Sequence, residues 1–395
     1  MKILSALNAF KGAPHNVSTL NEALGEELRK LGHEVEVFPI ADGGDGTLDA
    51  FKFNLHRSPE VKVEEMKSSV QDPLGRPVEA NWLWINGDRP KAIIEFAQAS
   101  GIALLKQEER HPPISSSFGT GELIREALEL GAKEIVITLG GSATIDGGIG
   151  MMAALGAKFK NKNDTELSPR AANMKNIESI DLSRVKKTLG DSRLIFLSDV
   201  KTPLRSDPGE ENVMLYADQK FPSIGDFSVP KNNLDNGFDQ LAQLIDKEAG
   251  SKVSREESTG AAGGAAYIPR ALLRASSKSG IKHLSEIFGL KEKIQESELI
   301  ITGEGFLDRQ TLEGKAPAEL IRLVKELNEK DGKNRKLVVI CGDADGKINW
   351  KAKGIDLVIK LKQEGQSITT SIKNTLKNLR AVVKNRIKDI EDLIK

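Results

Sequence analysis

Short runs of Val, Ile and Leu that alternate with helical patterns constrain the fold of this chain more than any other feature. Several runs lack the apolar–polar alternation of a half-exposed strand, as expected for parallel strands that are covered on both faces. Helical patterns, such as residues 17–31 and 122–130, lie between the runs. The sequence therefore predicts an α/β protein with parallel sheets. The predicted strands are residues 3–7, 35–40, 92–97, 135–139, 194–200, 299–302, 337–341 and 357–361.

The length of the chain predicts two domains. A chain of 395 residues exceeds the size, about 250–300 residues, at which a single hydrophobic core stops growing. The first two strands share a strand–loop–helix character with the three after residue 298, so we expect one five-stranded, flavodoxin-like, doubly wound sheet. This discontinuous domain would comprise residues 1–64 and 291–395, and residues 65–290 would form an inserted Rossmann-like α/β domain. Within the insert, the polar stretches 157–170 and 221–237 are predicted to be surface loops.

Composition excludes several classes of function. Lys plus Arg equals Asp plus Glu at 57 each, so no net charge attracts the chain to nucleic acid or to an anionic membrane. The single cysteine, Cys341, excludes disulfides and paired-cysteine zinc sites, and it is expected to be a buried thiol. No apolar stretch approaches membrane-spanning length, and no apolar signal segment precedes the first strand. We therefore expect a cytoplasmic protein that acts on a small molecule.

Glycines and charged residues gather where the predicted strands end. In open α/β sheets, ligands bind outside the carboxyl ends of the strands. Glycine clusters let backbone N–H groups approach phosphate oxygens, and carboxylates suit Mg²⁺, which is usually shared with substrate phosphates. The combination predicts a nucleotide site. The segments are residues 8–12, 42–47, 140–148, 302–311 and 342–343, with Asp199 at the end of the 194–200 run.

The best-known nucleotide motifs are absent. Gly314-Lys315 is followed by Ala316, and Arg309 stands where a Walker loop needs glycine. No stretch fits the dinucleotide G-x-G-x-x-G pattern. None of the five histidines lies beside a Gly-x-Ser-x-Gly elbow, so a hydrolase triad is not predicted either.

The ordered motifs resemble those of the type 1 glycerate kinase family. They span residues 1 to about 345, and the longest lie around Gly140 and Thr302. The resemblance implies two α/β domains with the site in the cleft between them, and transfer of phosphate from ATP to a hydroxyl of D-glycerate, commonly the 2-hydroxyl. The motifs are Phe10-Lys11-Gly12, residues 41–47, residues 119–124, residues 140–148, residues 260–264, and Thr302-Gly303-Glu304-Gly305 followed by Asp308-Arg309-Gln310-Thr311 and Gly314-Lys315.

Residue roles follow from phosphoryl-transfer chemistry, which needs positioning and charge neutralisation. Asp199 or Asp42 is expected to orient or deprotonate the attacking hydroxyl, and the other to lie nearer Mg²⁺. Lys11 and Lys220 are expected to neutralise charge, either on the acceptor carboxylate or on the transferred group. The predicted binding residues contact the acceptor (Lys220, Gln219, Asp45 and Gly263) or the nucleotide (Gly140, Gly141, Ser142, Thr144, Gly303, Glu304, Gly305, Asp308 and Gln310).

Several alternatives stay open at this stage. The family's first loop usually reads Asp-Ser-Phe-Lys-Gly, whereas this chain has Asn8-Ala9 at its start, and residues 216–221 also depart from the family pattern. These departures favour either a kinase of another hydroxy acid or polyol, or a family member that binds a metabolite without turnover. Asp42 could instead be the N-cap of a helix that starts near Thr47. The apolar stripe after Ile368 predicts a C-terminal helix that docks on the protein, with a membrane-surface helix as the alternative.

Overall fold

A computed structural model describes residues 1–44, 46–57, 61–222, 227–313 and 316–394. Their strands are β1 Lys2–Leu7, β2 Glu34–Val37, β3 Val63–Gln71, β4 Pro77–Ile85, β5 Lys91–Glu95, β6 Glu134–Thr138, β7 Lys158–Lys160, β8 Ser179–Asp181, β9 Arg193–Leu197, β10 Ser276–Lys278, β11 Leu299–Leu307, β12 Lys336–Ala344 and β13 Leu357–Lys360.

The α-helices of the described residues alternate with most of these strands. They are α1 Val17–Lys30, α2 Thr47–His56, α3 Ala97–Ser100, α4 Phe118–Glu129, α5 Ile149–Ala154, α6 Ser183–Leu189, α7 Ser228–Ala249, α8 Ala261–Gly264, α9 Tyr267–Leu272, α10 Gly280–Phe288, α11 Leu290–Glu296, α12 Ala316–Asp331, α13 Ile368–Lys373 and α14 Thr375–Glu391. Short 3-10 helices are Ile102–Leu104, Gln107–Glu109, Ala171–Asn176, Val213–Tyr216, Asp218–Lys220, Val253–Arg255, Arg309–Glu313 and Lys351–Lys353.

The contacts divide the chain into two compact units. The first unit comprises Met1–Pro59 and Ser279–Lys395, and the second unit comprises Glu60–Lys278. Each unit holds its own sheet and its own buried apolar cluster.

The sheet of the first unit is wholly parallel and has the order β13-β12-β11-β1-β2. With its strands renumbered along the chain this order is 2-1-3-4-5, which is the flavodoxin-like arrangement. Strand β1 lies between β11 and β2, and its residues from Ile3 to Leu7 are buried. The predicted five-stranded parallel sheet is therefore confirmed. Strands from both ends of the chain form this one sheet.

The C-terminal stripe forms two helices that dock on the first unit. Helix α13 ends at Lys373, and α14 starts at Thr375 after Asn374. Leu379, Val383 and Ile390 of α14 are buried in the same cluster as residues of α1. The docking prediction is confirmed, because protein covers the part of the apolar stripe that lies on α14. No helix of the described residues is long and apolar enough to cross a membrane.

The sheet of the second unit is mixed and has the order β10-β9-β6-β5-β4-β3. Strands β5, β6, β9 and β10 are parallel, whereas β3 and β4 join as antiparallel strands. Strand β3 buries only alternate residues near its end, Ser68 and Val70, which is the period of a sheet with one covered face. The sequence analysis did not predict β3 and β4, because β3 is too polar to read as a buried run.

Three local predictions are wrong. Residues 158–160, part of the predicted 157–170 loop, form strand β7, which pairs with β8. Residues 303–305, which were predicted to form a loop, lie inside β11, where Glu304 pairs with Cys341 of β12. Polar residues 228–237, predicted to be loop, belong to α7, whose apolar face begins with Leu234 and Phe238. In that helix the burial of a few widely spaced apolar residues outweighs the polar composition. Cys341 is fully buried, as expected.

Candidate active site

The predicted site residues fall into two groups, one in each unit. The first unit carries Lys11, Asp42, Gly303, Glu304, Gly305 and Asp308. The second unit carries Gly140, Gly141, Ser142, Thr144, Asp199, Gln219, Lys220 and Gly263. Asp45 and the side chain of Gln310 lie outside the described part of the structure.

In the first unit, Asp42 is held in place by its neighbours. Its Oδ2 accepts a hydrogen bond from Asn8 Nδ2 at 3.2 Å, and its Oδ1 accepts one from the Gly44 N–H at 3.1 Å. Asn8 is itself buried, and its N–H donates to the Gly303 carbonyl at 2.9 Å. Helix α2 has Gly46 as its N-cap, so the N-cap alternative for Asp42 is wrong. Asp42 is half-buried, which leaves its carboxylate at the carboxyl edge of the sheet partly open to solvent.

Lys11 follows β1 and is exposed, unlike most of the predicted residues. It lines a cavity of about 240 Å³ together with Gly305, residues of β12, α13 and α14, and the two residues that follow β13. Gly305 lies close to the Lys11 backbone, since a Cβ at Gly305 would stand 3.2 Å from the Lys11 nitrogen. The structure thus brings Lys11 and Gly305 together at the edge of the sheet.

The other residues of the first group have clear structural contacts. Gly303 is required by close packing, because a Cβ there would stand 1.9 Å from the Ile340 carbonyl oxygen. Glu304 is buried within β11. Asp308 binds the following turn: its Oδ1 accepts from the Thr311 N–H at 3.2 Å, and its N–H donates to Thr311 Oγ1 at 3.1 Å.

In the second unit, residues 140–148 form a loop after β6, which we call the β6 loop. Backbone hydrogen bonds tie it to the segment after β5: Ile102 N–H donates to the Gly141 carbonyl at 2.8 Å, and Ala143 N–H to the Ser100 carbonyl at 2.9 Å. The glycines at its tip, Gly140 and Gly141, are half-exposed, whereas Thr144 is fully buried. The tip of the loop is therefore the part that a ligand could reach.

Asp146 fixes the other end of the β6 loop from inside the protein. It is fully buried, and its carboxylate accepts hydrogen bonds from the N–H groups of Ser117, Gly148 and Gly150 and from the Ser117 hydroxyl. Burial raises the pKa of the Asp146 carboxyl, and these four donors oppose the shift. Asp146 belongs to the motif at residues 140–148, but no role was predicted for it. A single carboxylate next to glycines could have indicated a structural or functional role for Asp146. Nothing in the sequence showed that Asp146 is buried.

Lys220 is also buried, with 4% of its surface exposed. Its Nζ donates to Ser142 Oγ and to the Thr144 carbonyl, both at 2.8 Å, so it binds two points of the β6 loop. Burial lowers the pKa of the Lys220 ammonium to about 7, and the charge of Asp146 opposes this shift. Lys220, Ser142 and Thr144 were predicted separately, and the structure brings them together.

The remaining residues of the second group differ in their surroundings. Asp199 lies two residues beyond β9 and is half-buried, next to Ser198, whose N–H donates to the Lys278 carbonyl at 3.0 Å. Gly263 accepts a hydrogen bond from the Gly147 N–H at 2.9 Å, so it packs on the β6 loop. Gln219 is exposed. Strands β6 and β9 are parallel neighbours, so the β6 loop and Asp199 emerge at the same edge of the sheet.

Parallel α/β sheets whose carboxyl edges carry glycines, carboxylates and lysines are the usual frame of nucleotide-dependent enzymes. Residues 3–391 match the glycerate kinase family. The chain belongs to the glycerate kinase family. A kinase takes its phosphoryl group from a nucleoside triphosphate, so membership implies ATP as the donor.

Individual members of this family are similar in sequence to the chain over most of its length. Glycerate 2-kinase of Escherichia coli K12 is 35% identical over 331 residues, which cover 83% of each chain. Glycerate kinase of Bacillus subtilis is 34% identical over 329 residues, covering 82% of each. A crystal structure from Salmonella typhimurium LT2, described as a candidate glycerate kinase 2, superposes with a TM-score of 0.79 at 29% identity and covers 99% of this chain and 98% of its own.

Proposed function

We propose that this protein transfers the terminal phosphoryl group of ATP to the 2-hydroxyl of D-glycerate. The observation that carries the proposal is the family match, which extends over residues 3–391 and so includes both units. The 2-hydroxyl is favoured because the Escherichia coli relative is named glycerate 2-kinase. We also propose that the two units are the two domains predicted from the sequence and that the protein acts in the cytoplasm.

Asp199 is our assignment for the carboxylate that takes the proton of the attacking hydroxyl. Both oxygens of Asp42 accept N–H bonds, which fix the orientation of that carboxylate. Asp199 lies at the carboxyl edge of its sheet, where ligands of α/β proteins bind. A carboxylate in this role must approach the acceptor hydroxyl within hydrogen-bond distance.

The carboxylates also fit the Mg²⁺ ion that we propose as a cofactor. No group of three or more metal-binding side chains occurs within the described ranges. Mg²⁺ usually needs only one or two protein carboxylates, because waters and substrate phosphates complete its shell. Asp42 would supply such oxygens, with Asp199 as the second candidate, and a bound ion would neutralise part of the phosphate charge.

The two lysines are given different roles. The exposed Lys11 is proposed to neutralise charge on the transferred phosphoryl group or on the acceptor carboxylate. Lys220 is proposed to act on substrate indirectly, because its ammonium is bonded to the β6 loop. It holds the tip of that loop, with Gly140, Gly141 and Ser142, in the conformation that we assign to phosphate binding.

An ADP-release assay over matched acceptors tests the proposal. D-Glycerate should give the highest kcat/KM. D-Lactate, which keeps only the 2-hydroxyl, should react faster than 3-hydroxypropionate, which keeps only the 3-hydroxyl. The reverse order would place the reaction on the 3-hydroxyl. Turnover with glycerol or another acid but not with D-glycerate would make the protein a kinase of another acceptor. ATP binding without turnover of any acceptor would favour a metabolite-binding role.

A further inference from the structure

The cavity of the first unit is lined mostly by residues that have no role in the reaction proposed above. It opens at the carboxyl edge of the sheet and has a volume of about 240 Å³. Phe10, Lys11, Gly305 and Phe306 line one side, and Ile368 and Ile372 of α13 line the other. Most of its lining is apolar, and charged groups occur at a few points only. This composition is typical of small-molecule sites.

Two large apolar side chains of this cavity are unusually exposed. Phe306 is 52% exposed and Ile368 is 65% exposed, and both line the cavity. Phe306 belongs to β11, whereas Ile368 is the first residue of α13. A flat apolar ligand between them would remove both surfaces from water.

The charge around the cavity is positive. Asp343 pairs with Lys360 at 2.9 Å and with Lys362 at 3.2 Å, and these lysines hold its pKa at about 2. The single carboxylate of Asp343 is therefore paired with two ammonium groups, which leaves one positive charge in excess. Lys11 adds a further positive charge. Among the described residues, Lys11 has no carboxylate partner. This balance favours a ligand that is apolar in one part and anionic in another.

The size of the cavity restricts its ligand further. Drug-sized ligands occupy sites of about 300–1,000 Å³, so a cavity of about 240 Å³ holds a ring system with its immediate substituent rather than a whole nucleotide. D-Glycerate has three carbons with a carboxylate and two hydroxyls, so apolar walls would leave its polar groups unpaired. A purine base presents two apolar faces and leaves its phosphates outside.

We propose that this cavity binds the adenine base of ATP, with Phe306 and Ile368 contacting the ring and Lys11 meeting the phosphates. The inference rests on the proposed kinase function and adds a base-binding site to it. Phe306, Ile368 and Ile372 thereby become nucleotide-binding residues, although the sequence motifs did not include them.

Calorimetric titration of the full chain tests the inference. Wild type should bind ATP and, more weakly, adenosine, while ribose 5-phosphate, which has no base, should not compete with adenosine. Phe306→Ala and Ile368→Ala should each weaken ATP binding about ten-fold, the order expected for loss of a contact to a base. Ile287→Ala is the matched control: Ile287 is 44% exposed in the same unit and does not line the cavity. It should bind ATP like wild type.

The possible outcomes separate this inference from the proposed function. If wild type phosphorylates D-glycerate but both cavity variants bind ATP like the control, the inference is wrong and the function stands. If wild type binds adenosine with the predicted dependence on Phe306 and Ile368 but phosphorylates no acceptor, the base site stands and the function is wrong. If wild type binds neither ATP nor adenosine, the inference is overturned together with the function. Unchanged melting temperatures should accompany both variants, since both side chains are exposed.

Discussion

Two lysines of the same predicted chemistry have opposite surroundings in the two units. Lys11 of the first unit is exposed and lines a cavity that is open to solvent. Lys220 of the second unit is 4% exposed, and its ammonium donates to Ser142 and Thr144 inside the protein. The difference in burial therefore indicates different roles: the exposed Lys11 can contact a ligand, whereas the buried Lys220 holds the β6 loop in place.

The same contrast extends to the acidic residues. Asp42 of the first unit is half-buried and accepts two hydrogen bonds, whereas Asp146 of the second unit is fully buried and accepts four. Asp146 and Lys220 of the second unit fix the β6 loop from the interior, whereas Lys11 and Asp42 of the first unit lie at the sheet edge. A substitution in the first unit should therefore change turnover more than stability, and one among the interior groups of the second unit should change both.

The largest expected effect belongs to Asp199, which is the exception in the second unit because it is not fully buried. Asp199→Asn should lower kcat by about two to four orders of magnitude, the usual contribution of general-base assistance. The amide is nearly isosteric, so the melting temperature should stay that of wild type. Asp191→Asn, at an exposed position in the same unit, is the control and should keep full turnover. Retention of more than about a tenth of the turnover by the Asp199 variant would shift the assignment to Asp42.

Lys11→Met should lower kcat/KM by about 10²–10³-fold, the range seen when one charge-stabilising donor is removed from an active site. The melting temperature should not change, because Lys11 is exposed. Lys282→Met, also exposed and in the first unit, controls for the loss of one surface charge. Equal activity of the two variants would remove Lys11 from the site and weaken the contrast with Lys220.

Gly263→Ala should destabilise the second unit. Gly263 has φ of +67°, and a Cβ would stand 2.2 Å from the Thr144 carbonyl oxygen, so strain and overpacking add. We expect a loss of about 2–4 kcal/mol, from left-handed backbone strain together with overpacking. Gly250→Ala separates the two costs, since Gly250 is also left-handed, with φ of +71°, but has open space around it. Equal shifts in melting temperature for the two variants would show that packing on the β6 loop is unimportant.

The smallest effect concerns the pH dependence of Lys220. Its pKa is about 7 in the folded protein against 10.5 for a free side chain, so unfolding between these values takes up a proton. The free energy of unfolding should therefore gain, with rising pH, a contribution of at most about 1.4 kcal/mol per pH unit. Denaturation at pH 7.0 and 8.5 should show this rise in wild type, and Lys220→Met should lack it. An identical pH dependence in both proteins would contradict the burial of an ionisable Lys220.

Residue patterns were sufficient to predict the sheet of the first unit, because its three inner strands, β1, β11 and β12, are mostly buried and apolar. They failed for β3 and β4, where half the residues face away from the core, and for residues 303–305, whose glycines suggested a loop although β12 pairs with them. Motifs located most of the residues at the sheet edges. They could not distinguish Lys11 from Lys220, since burial depends on the packing of distant segments. They also missed Asn8 as a partner of Asp42, because a hydrogen bond across 34 positions leaves no local pattern.

Product identification tests the central claim, that this protein is a D-glycerate kinase, most directly. Purified protein should be incubated with ATP, Mg²⁺ and D-glycerate, and the product examined by phosphorus and carbon NMR. We expect one new phosphate ester whose phosphorus couples to the carbon bearing the 2-hydroxyl, formed in step with ADP and absent with Asp199→Asn. No phosphorylated glycerate, with the protein folded and ATP intact, would contradict the claim.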